Sequence, residues 1–532
     1  MYSSEKSQSR GGKKLIWFFL FTLVFIIAAV GVYFIFFNNL SIEERIDKYV
    51  SYDESISESE ATSVNNYIIF NEIELNSDLI ISSDISDSVV SQNKVIDTFV
   101  PVVDVYSTRQ KTTTDDLIKN EVVYDQNIGD KTISQINDYF GATGTETKTI
   151  DIKSDEVVEG ETAIISISNV SPQLKMLGLD GNYYLDTLDS GAFFREITIS
   201  GEQSDEFSEL VLGEMLDEED VYKTNITGVT ALTRVMIRKL QEVGDPTFFS
   251  KEIGPFLADA DLTHVSNEVS FKPECTFAES SVLSFCSPPE FIETLKDSGV
   301  DLVELTGNHN NDFGAQYNKE TIELYESLGW GTVGGGLNNE DARKAFFTDD
   351  KGTKLAFLAY NYPDSPNGLA ISGTNSAGAN SFDFTKIEED ILAAKQEADF
   401  VTVNVQYWEC YAYPDGYVEF PECDLPIGEQ ESNFKRIVDL GADMVVGSSA
   451  HQPQTWEFHN GKPIYYGLGN LYFDQTSWPG TERGLLLSNY FVDGKLIQTK
   501  ITPTVYGDDL QTRIMTDEEA DFLLTRLQQA RN

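Results

Sequence analysis

A short apolar run at residues 300–305 is followed by three polar side chains that could do chemistry. Asn308, His309 and Asp312 place an amide, an imidazole and a carboxylate within one five-residue stretch. These groups coordinate divalent cations or stabilise an oxyanion. A second imidazole, His451, also follows an apolar run much later in the chain. In an α/β domain such transitions mark the carboxyl ends of strands, so the sequence predicts a site at that edge of a sheet.

Other polar residues lie at comparable transitions. Glu268 follows Asn267 at the end of the run 262–266, where a carboxylate is costly if it is buried without a metal, an arginine or a hydrogen-bonding partner. If the strand that carries Gln406 continues, Glu409 points to the opposite face. Asn470 is expected to hold the loop of the late histidine through its side chain.

Arg234 lies four residues after Thr230, at the start of a helix-like segment. Both side chains can therefore lie over one end of the sheet. A guanidinium binds carboxylate or phosphate with two hydrogen bonds, which predicts an anion-binding role. The alternative is a salt bridge between Arg234 and an acid such as Glu268. The predicted substrate-binding residues are Arg234, Thr230, Gln406, Glu409 and Asn470.

Structural alternatives exist for several of these residues. His309 could support a turn, and Asp312 could cap it. His264 and His459 belong to no motif and are predicted to be structural.

The order of motifs resembles the poly-γ-glutamate capsule-biosynthesis (CapA-like) family, a branch of the calcineurin-like metallophosphoesterase superfamily. The resemblance runs from about residue 224 to about residue 503. Its motifs are 227–234, 266–269, 308–314, 403–409, 447–454 and 466–475. It implies a two-sheet core flanked by helices and a role with an anionic cell-surface polymer, in its synthesis, export or attachment.

The chain departs from that family at metal-ligand positions. Val229 stands where the family carries aspartate, and Ser449 replaces the first of two histidines. Gln406 falls where a histidine is common. The remaining predicted metal ligands are Glu268, Asn308, His309, Asp312 and His451.

A two-metal site needs about six or more protein ligands, so we expect one divalent ion or none, each equally compatible with the sequence. If the protein is a metal-dependent hydrolase, its catalytic residues are Glu268, His309, Asp312 and His451. The alternative is a non-enzymatic scaffold that binds a polymer or ligand in a degenerate pocket.

Residues 15–37 carry no charge and are long enough for a helix to cross a hydrocarbon core of about 30 Å. Lysines and arginine precede this segment and acidic residues follow it, which places the N-terminus inside and the bulk of the chain outside the cytoplasm. A cleaved signal peptide is the alternative, although its apolar core is typically about 7–15 residues. We therefore predict a single-pass protein of the cell membrane.

The cysteines form two local pairs, Cys275 with Cys286 and Cys410 with Cys423. In an oxidising compartment such pairs are expected to form disulfides, and four free thiols are the alternative. The spacing does not suit a zinc ribbon.

The charge balance excludes one class of partner. The chain has 38 Lys+Arg against 87 Asp+Glu, a formal net charge of −49. Such a surface repels nucleic acid, so no nucleic-acid role is predicted. The expected partners are the cell-surface polymer or its synthesis and export machinery, and the membrane through the N-terminal helix.

Apolar runs alternate with helix-like segments along the chain, which indicates an α/β protein. We predict a calcineurin-like two-sheet core flanked by helices, preceded by a smaller α/β or α+β domain and one transmembrane helix. The predicted segments are a cytoplasmic tail (1–14), the anchor (15–37), an acidic stalk or first helix (38–64), an N-terminal domain (65–212), a linker (213–223), the CapA-like domain (224–510) and a C-terminal helix (511–532).

Overall fold

The computed structural model describes residues 40–531 except 89–93, 121, 142–147, 153–156, 158–159, 208–209, 211–215, 279–282, 363–369, 408–426 and 476–479. The predicted anchor (15–37), Glu409, Cys410 and Cys423 lie outside the described residues. Within the part described, no helix combines the length and hydropathy needed to span a membrane.

Contacts divide the chain into two compact units. The first consists of Met1–Thr98, Asp130–Tyr139 and Phe194–Met215. The second consists of Phe99–Gly129, Phe140–Phe193 and Leu216–Asn532. The units interleave along the chain, and the boundaries 65–212 and 224–510 stay predictions.

The described α-helices are α1 (Ile42–Tyr49), α2 (Glu58–Phe70), α3 (Thr114–Lys119), α4 (Asp130–Tyr139), α5 (Tyr184–Thr187), α6 (Val235–Val243), α7 (Gly254–Leu257), α8 (Ile292–Asp297), α9 (Ala315–Ser327), α10 (Asn339–Ala342), α11 (Phe384–Ala394), α12 (Ile427–Asp439) and α13 (Asp517–Ala530).

The described strands are β1 (Val50–Tyr52), β2 (Leu79–Ser88), β3 (Lys94–Asp104), β4 (Lys111–Thr112), β5 (Val122–Asp125), β6 (Lys148–Ile150), β7 (Thr162–Ser166), β8 (Leu174–Met176), β9 (Gly178–Leu179), β10 (Ser190–Ser200), β11 (Tyr222–Thr230), β12 (Leu262–Asn267), β13 (Val300–Glu304), β14 (Gly331–Val333), β15 (Gly335–Gly336), β16 (Phe346–Asp350), β17 (Thr353–Tyr362), β18 (Gly378–Ala379), β19 (Phe400–Tyr407), β20 (Met444–Ser448), β21 (Trp456–His459), β22 (Lys462–Tyr465), β23 (Asn470–Tyr472), β24 (Arg483–Val492), β25 (Lys495–Tyr506) and β26 (Thr512–Ile514).

In the first unit, described residues 40–64 contain helix α1, the short strand β1 and the start of helix α2. Ser41 and Ser57 each begin a helix with a capping box, in which a glutamate three residues later bonds back to the cap. Val64 and Ile68 of α2 are fully buried in an apolar cluster of this unit. The serines therefore start the helices, and the buried face of α2 anchors them.

Two sheets of the second unit position the predicted site. One has the strand order β14-β13-β12-β11-β24-β25-β26, with β23 also beside β11, and the other has the order β16-β17-β19-β20-β22-β21. Strands β11 to β14 are mutually parallel, as are β17, β19, β20 and β22. Each sheet thus presents several strand carboxyl ends at one edge.

The two sheets pack face to face with helices outside. Leu302 of the first sheet shares a buried cluster with Phe357 and Met444 of the second. The outer face of the first sheet packs against α6, α8 and α9, and that of the second against α11 and α12. This order of helix, sheet, sheet and helix confirms the predicted mixed α/β architecture.

Two smaller features of the described residues bear on the predictions. Residues 512–514 of the predicted C-terminal helix (511–532) form strand β26 instead. The C-terminal helix is present as α13, which Thr516 caps and which buries Leu523 and Leu527 in the cluster between the sheets. Cys275 and Cys286 form a disulfide with a Cα–Cα distance of 5.9 Å. The Cys410–Cys423 bridge stays a prediction.

Candidate functional site

Polar side chains from both sheets meet at the carboxyl ends of the parallel strands. Thr230 ends β11, Glu268 follows β12, and Thr306 follows β13 in the first sheet. In the second sheet, Gln406 lies near the end of β19, and Ser448 is its register partner at the end of β20. This edge, called the strand-end site below, is where the sequence predicted a site.

Strand alternation explains why these groups face one another. Val403 and Val405 of β19 pack among the outer helices, so Asn404 and Gln406 face the other sheet. On β13, Leu302 faces the same inter-sheet space, and Glu304, two residues on, shares its side of the strand. The facing surfaces of the two sheets are therefore polar at the carboxyl ends of the parallel strands and apolar further from those ends.

Glu268 is fully buried and receives a hydrogen bond from the opposite sheet. The Gln406 Nε2 atom donates to Glu268 Oε1 at 2.9 Å and lies 3.3 Å from Asn308 Oδ1. Among the described residues, no group donates to Glu268 Oε2, and the hydroxyl of Thr230 is likewise buried without a partner. An unpaired buried carboxylate oxygen calls for a proton, an organic cation or a metal ion.

Glu304 is the centre of a second buried network. His264 Nε2 lies 3.2 Å from Glu304 Oε2, Asn404 Nδ2 donates to the same oxygen at 2.9 Å, and Thr306 donates to Oε1. Burial acts to raise the pKa of Glu304, but the hydrogen bonds and charge of His264, with the hydrogen bonds from Thr306 and Asn404, hold it below the usual range. The carboxylate therefore stays ionised inside the protein.

Ser448 connects the two networks. Its single hydroxyl proton can be donated to Glu304 Oε1 at 3.4 Å or to Gln406 Oε1 at 3.3 Å. At any moment Ser448 therefore bonds either to Glu304, which His264 contacts, or to Gln406, which donates to Glu268.

His309 is oriented by Asp312. The His309 Nδ1 atom lies 2.7 Å from Asp312 Oδ2, which also accepts a hydrogen bond from the backbone of Phe285 at 2.8 Å. A carboxylate acceptor favours the proton on Nδ1 and leaves the lone pair on Nε2. Asp312 thus both orients the imidazole and anchors the loop that carries Phe285.

His451 is oriented by Asn470, as expected from the sequence. Asn470 Nδ2 donates to the carbonyl of Thr481 at 2.9 Å, so its Oδ1 faces His451 Nδ1 at 2.9 Å as an acceptor. Burial lowers the pKa of His451, although the charge of Glu268 opposes this. The neutral imidazole therefore also carries its proton on Nδ1.

Arg234 forms the salt bridge that was the alternative to anion binding, but its partner is Asp474 rather than Glu268. The Arg234 Nε and terminal nitrogen atoms donate to Asp474 Oδ1 at 2.9 and 2.6 Å. Phe285 and Phe473 each place a ring centroid 4.7 Å from the guanidinium carbon. The charge of Arg234 is therefore already balanced, and its role in substrate binding stays a prediction.

The same two phenylalanines connect the histidines. The ring of Phe285 lies 4.0 Å from that of His309, and the ring of Phe473 lies 5.2 Å from that of His451. The two phenylalanine rings are 5.8 Å apart. His309 and His451 thus lie on either side of an aromatic pair, and the guanidinium of Arg234 makes cation–π contacts with both rings of that pair.

Comparison with known proteins identifies the domain that carries this site. Residues 223–475 match the family described as "Bacterial capsule synthesis protein PGA_cap". Those residues belong to the bacterial capsule synthesis protein family. The capsule-synthesis domain thus contains the strand-end site.

Two relatives are similar over this domain. "Capsule biosynthesis protein CapA" of Bacillus anthracis is 25% identical over 260 residues, which are 48% of this chain and 60% of that protein. "PGA biosynthesis protein CapA" of Bacillus subtilis (strain 168) is 24% identical over 288 residues, 54% of this chain and 72% of that protein. The alignment therefore spans less than two thirds of the first relative.

A solved calcineurin-like phosphoesterase from Bacillus subtilis superposes on 59% of this chain and 99% of its own. The TM-score is 0.31 and the identity 10%. A TM-score this low does not establish a fold or an activity.

The predicted metal ligands Glu268, His309 and His451 each contact another polar side chain. In the described ranges, no group of three or more His, Cys, Asp or Glu side chains is placed to share an ion. Glu268 Oε1 accepts from an amide, and the Nδ1 atoms of His309 and His451 face acceptors. Glu409 lies outside the described residues, so its role in substrate binding stays a prediction.

Sequence reasoning missed several residues of the site. Glu304 was detectable from the sequence. It lies two residues after Leu302 in the same strand, so both side chains face the inter-sheet space. Asp474, Phe285 and Phe473 gave no such signal, because their partners lie far away in the sequence.

Proposed function

We propose that this protein is a membrane-anchored, extracytoplasmic component in the synthesis, export or attachment of an anionic cell-surface polymer of the poly-γ-glutamate type. Membership in the capsule synthesis family supports the process, and the names of the two CapA relatives support the polymer class. The apolar segment 15–37 supports the anchor. The Cys275–Cys286 disulfide is typical of an oxidising compartment.

We further propose that the strand-end site is a degenerate metallophosphatase-type pocket that lacks a two-metal centre. The hydrogen bond from Gln406 to Glu268 is the observation that carries this proposal. An amide N–H that points at a carboxylate oxygen uses one of the lone pairs of that oxygen, which leaves fewer for a metal ion. The pocket then serves recognition or positioning of a polar ligand rather than metal-assisted hydrolysis.

The second candidate is a hydrolase with one metal ion, acting on a phosphoester or an envelope amide. The unpaired Oε2 atom of Glu268 favours it, together with imidazole tautomers that place the lone pairs of His309 and His451 on Nε2. Such second contacts typically orient metal-binding histidines. This candidate requires one ion bound per chain and its loss when Glu268 is changed.

The process is tested in cells by deleting the gene and measuring surface polymer. Loss of acid-hydrolysable cell-surface glutamate, restored by the full-length chain, is expected. Complementation with Glu268→Gln should fail or be reduced, whereas the exposed control Glu389→Gln should restore the polymer. Unchanged surface polymer in the deletion strain would refute the proposed process.

The topology is tested with single-cysteine variants at Ser3 and Ser51 in intact cells. An impermeant thiol reagent should label Ser51→Cys and not Ser3→Cys. Labelling of Ser3→Cys alone would invert the topology and remove the extracytoplasmic proposal.

A further inference from the structure

A cavity of about 180 Å³ lies in the second unit, and none of its lining residues belongs to the strand-end site. Its volume corresponds to about six water molecules. Trp456 and Tyr465 provide aromatic walls, and Val105, Met176 and Ile501 provide aliphatic ones. The cavity therefore suits a small molecule with an apolar stem.

Three hydrogen-bond donors on the cavity wall have no partner. The Gln110 Nε2, Tyr183 hydroxyl and Trp456 Nε1 atoms are buried, and no described residue bonds to them. Each unsatisfied buried polar group costs about 1–3 kcal/mol. The indole nitrogen can only donate, so its missing partner must be an acceptor.

Lys175 adds a cation to the same wall. Its side chain is only 9% exposed, and its amine donates to the carbonyl of Ser107 at 2.7 Å. Within the described residues, no carboxylate pairs with this amine. Because an ammonium has three N–H donors, Lys175 keeps donors for a ligand.

The other two lysines on the wall are already paired. Lys111 bonds to Asp517 at 2.6 Å, and Lys500 bonds to Asp186 at 2.6 Å. The net charge of −49 repels anions over most of the surface. Lys175 is therefore the group that gives this cavity a local preference for an anion.

We propose that this cavity binds a small carboxylate-bearing molecule. Its carboxylate accepts hydrogen bonds from Lys175, Gln110, Tyr183 and Trp456, and its aliphatic stem packs against Met176. Burial raises the pKa of the Tyr183 hydroxyl, which keeps it a donor.

This carboxylate chemistry has two sources, a free acidic amino acid or the end of an acidic polymer chain. The second source rests on the proposed function, and the first does not. Calorimetric titration of the full-length chain at pH 6 with L-glutamate and, separately, with a short γ-linked glutamate oligomer distinguishes them. Inorganic phosphate, an anion without a stem, is the third probe.

We expect saturable one-site binding of glutamate or the oligomer, and weaker binding of phosphate. Tighter binding of the oligomer assigns the site to a polymer end, and tighter binding of glutamate assigns it to a free amino acid. Glutamate binding remains informative if the polymer function fails. No binding of either probe at concentrations on the order of 10 mM, or tighter binding of phosphate than of both, would overturn the proposal.

Conservative variants locate the site. Lys175→Met should weaken binding roughly ten- to hundredfold, because it removes a charged hydrogen bond. Tyr183→Phe and Trp456→Phe should weaken it roughly two- to tenfold. Tyr222→Phe, a buried tyrosine whose hydroxyl pairs with Thr348 and does not line the cavity, is the matched control. Unchanged affinity in a folded Lys175→Met protein would contradict the site.

Discussion

Gln406 donates its side-chain amide to Glu268 across the space between the two sheets, at 2.9 Å. The two residues are 138 positions apart in the chain. This contact places a neutral donor against one of the predicted metal ligands. It is the contact that supports our proposal of a pocket held together by hydrogen bonds.

Removal of that donor should destabilise the protein. Gln406→Ala removes the hydrogen bond to the fully buried carboxylate of Glu268. We therefore expect the free energy of unfolding to fall by about 1–3 kcal/mol. Urea unfolding of the full-length chain measures this. Gln396→Ala, at an exposed position, should change it by less than about 0.5 kcal/mol. Equal effects of the two substitutions would contradict the contact.

The Arg234–Asp474 pair should be important for stability. Both side chains are nearly or fully buried, so Asp474→Asn leaves an uncompensated charge and should cost about 3–5 kcal/mol of unfolding free energy. Glu293→Gln, which breaks an exposed pair with Lys296, should cost about 0–1 kcal/mol. The same denaturant series compares them, and a loss below 1 kcal/mol for Asp474→Asn would refute the buried pair.

Stability should rise with pH around Lys175. Burial lowers the pKa of this amine from its usual value to about 7, although the charge of Asp521 opposes the shift. Between pH 7 and about 10.4 the unfolded chain binds more protons at this position, so stability increases through that window. On the same cavity wall, Lys111 pairs with Asp517 and Lys500 pairs with Asp186, and burial raises the pKa of Tyr183.

Lys175→Met isolates that contribution. The variant should be more stable than the parent by about 3–5 kcal/mol at pH 6, and the difference should shrink as pH approaches 10. Chemical unfolding at a series of pH values gives the two curves. A constant difference between them would show that folding does not lower the pKa of Lys175.

The disulfide should stabilise the loop that carries Phe285. Replacement of Cys275 and Cys286 by alanine is expected to lower the free energy of unfolding by about 3 kcal/mol in the chain-entropy picture. In thermal unfolding, reductant should destabilise the parent protein by the same amount as the double substitution. Reductant should have no effect on the double variant. A reductant effect that persists in the double variant would assign it to the Cys410–Cys423 pair instead.

Local patterns predicted a definable part of this structure. The apolar runs that end at polar residues located the strand-end site, and period-2 alternation is sufficient to turn Glu304 inward. Ser41 and Ser57 are each followed three residues later by a glutamate. This capping-box pattern marks the start of a helix, and both instances lie within the segment predicted as a stalk or first helix.

Long-range pairing was not readable from those patterns. Arg234 and Asp474 are 240 residues apart, and neither local spacing nor alternation specifies which acid a guanidinium meets. The cavity donors likewise come from strands and loops that are separated in the sequence, and no local pattern marks any of them as part of a site. Such contacts depend on how the sheets and loops are arranged, which a single sequence does not encode locally.

Metal content of the full-length protein tests the central proposal most directly. Elemental analysis of protein purified without chelators should find at most one equivalent of divalent metal per chain, with His309→Ala and His451→Ala measured alongside. Two equivalents in the parent, lost in either histidine variant, would contradict the degenerate pocket and support a two-metal hydrolase.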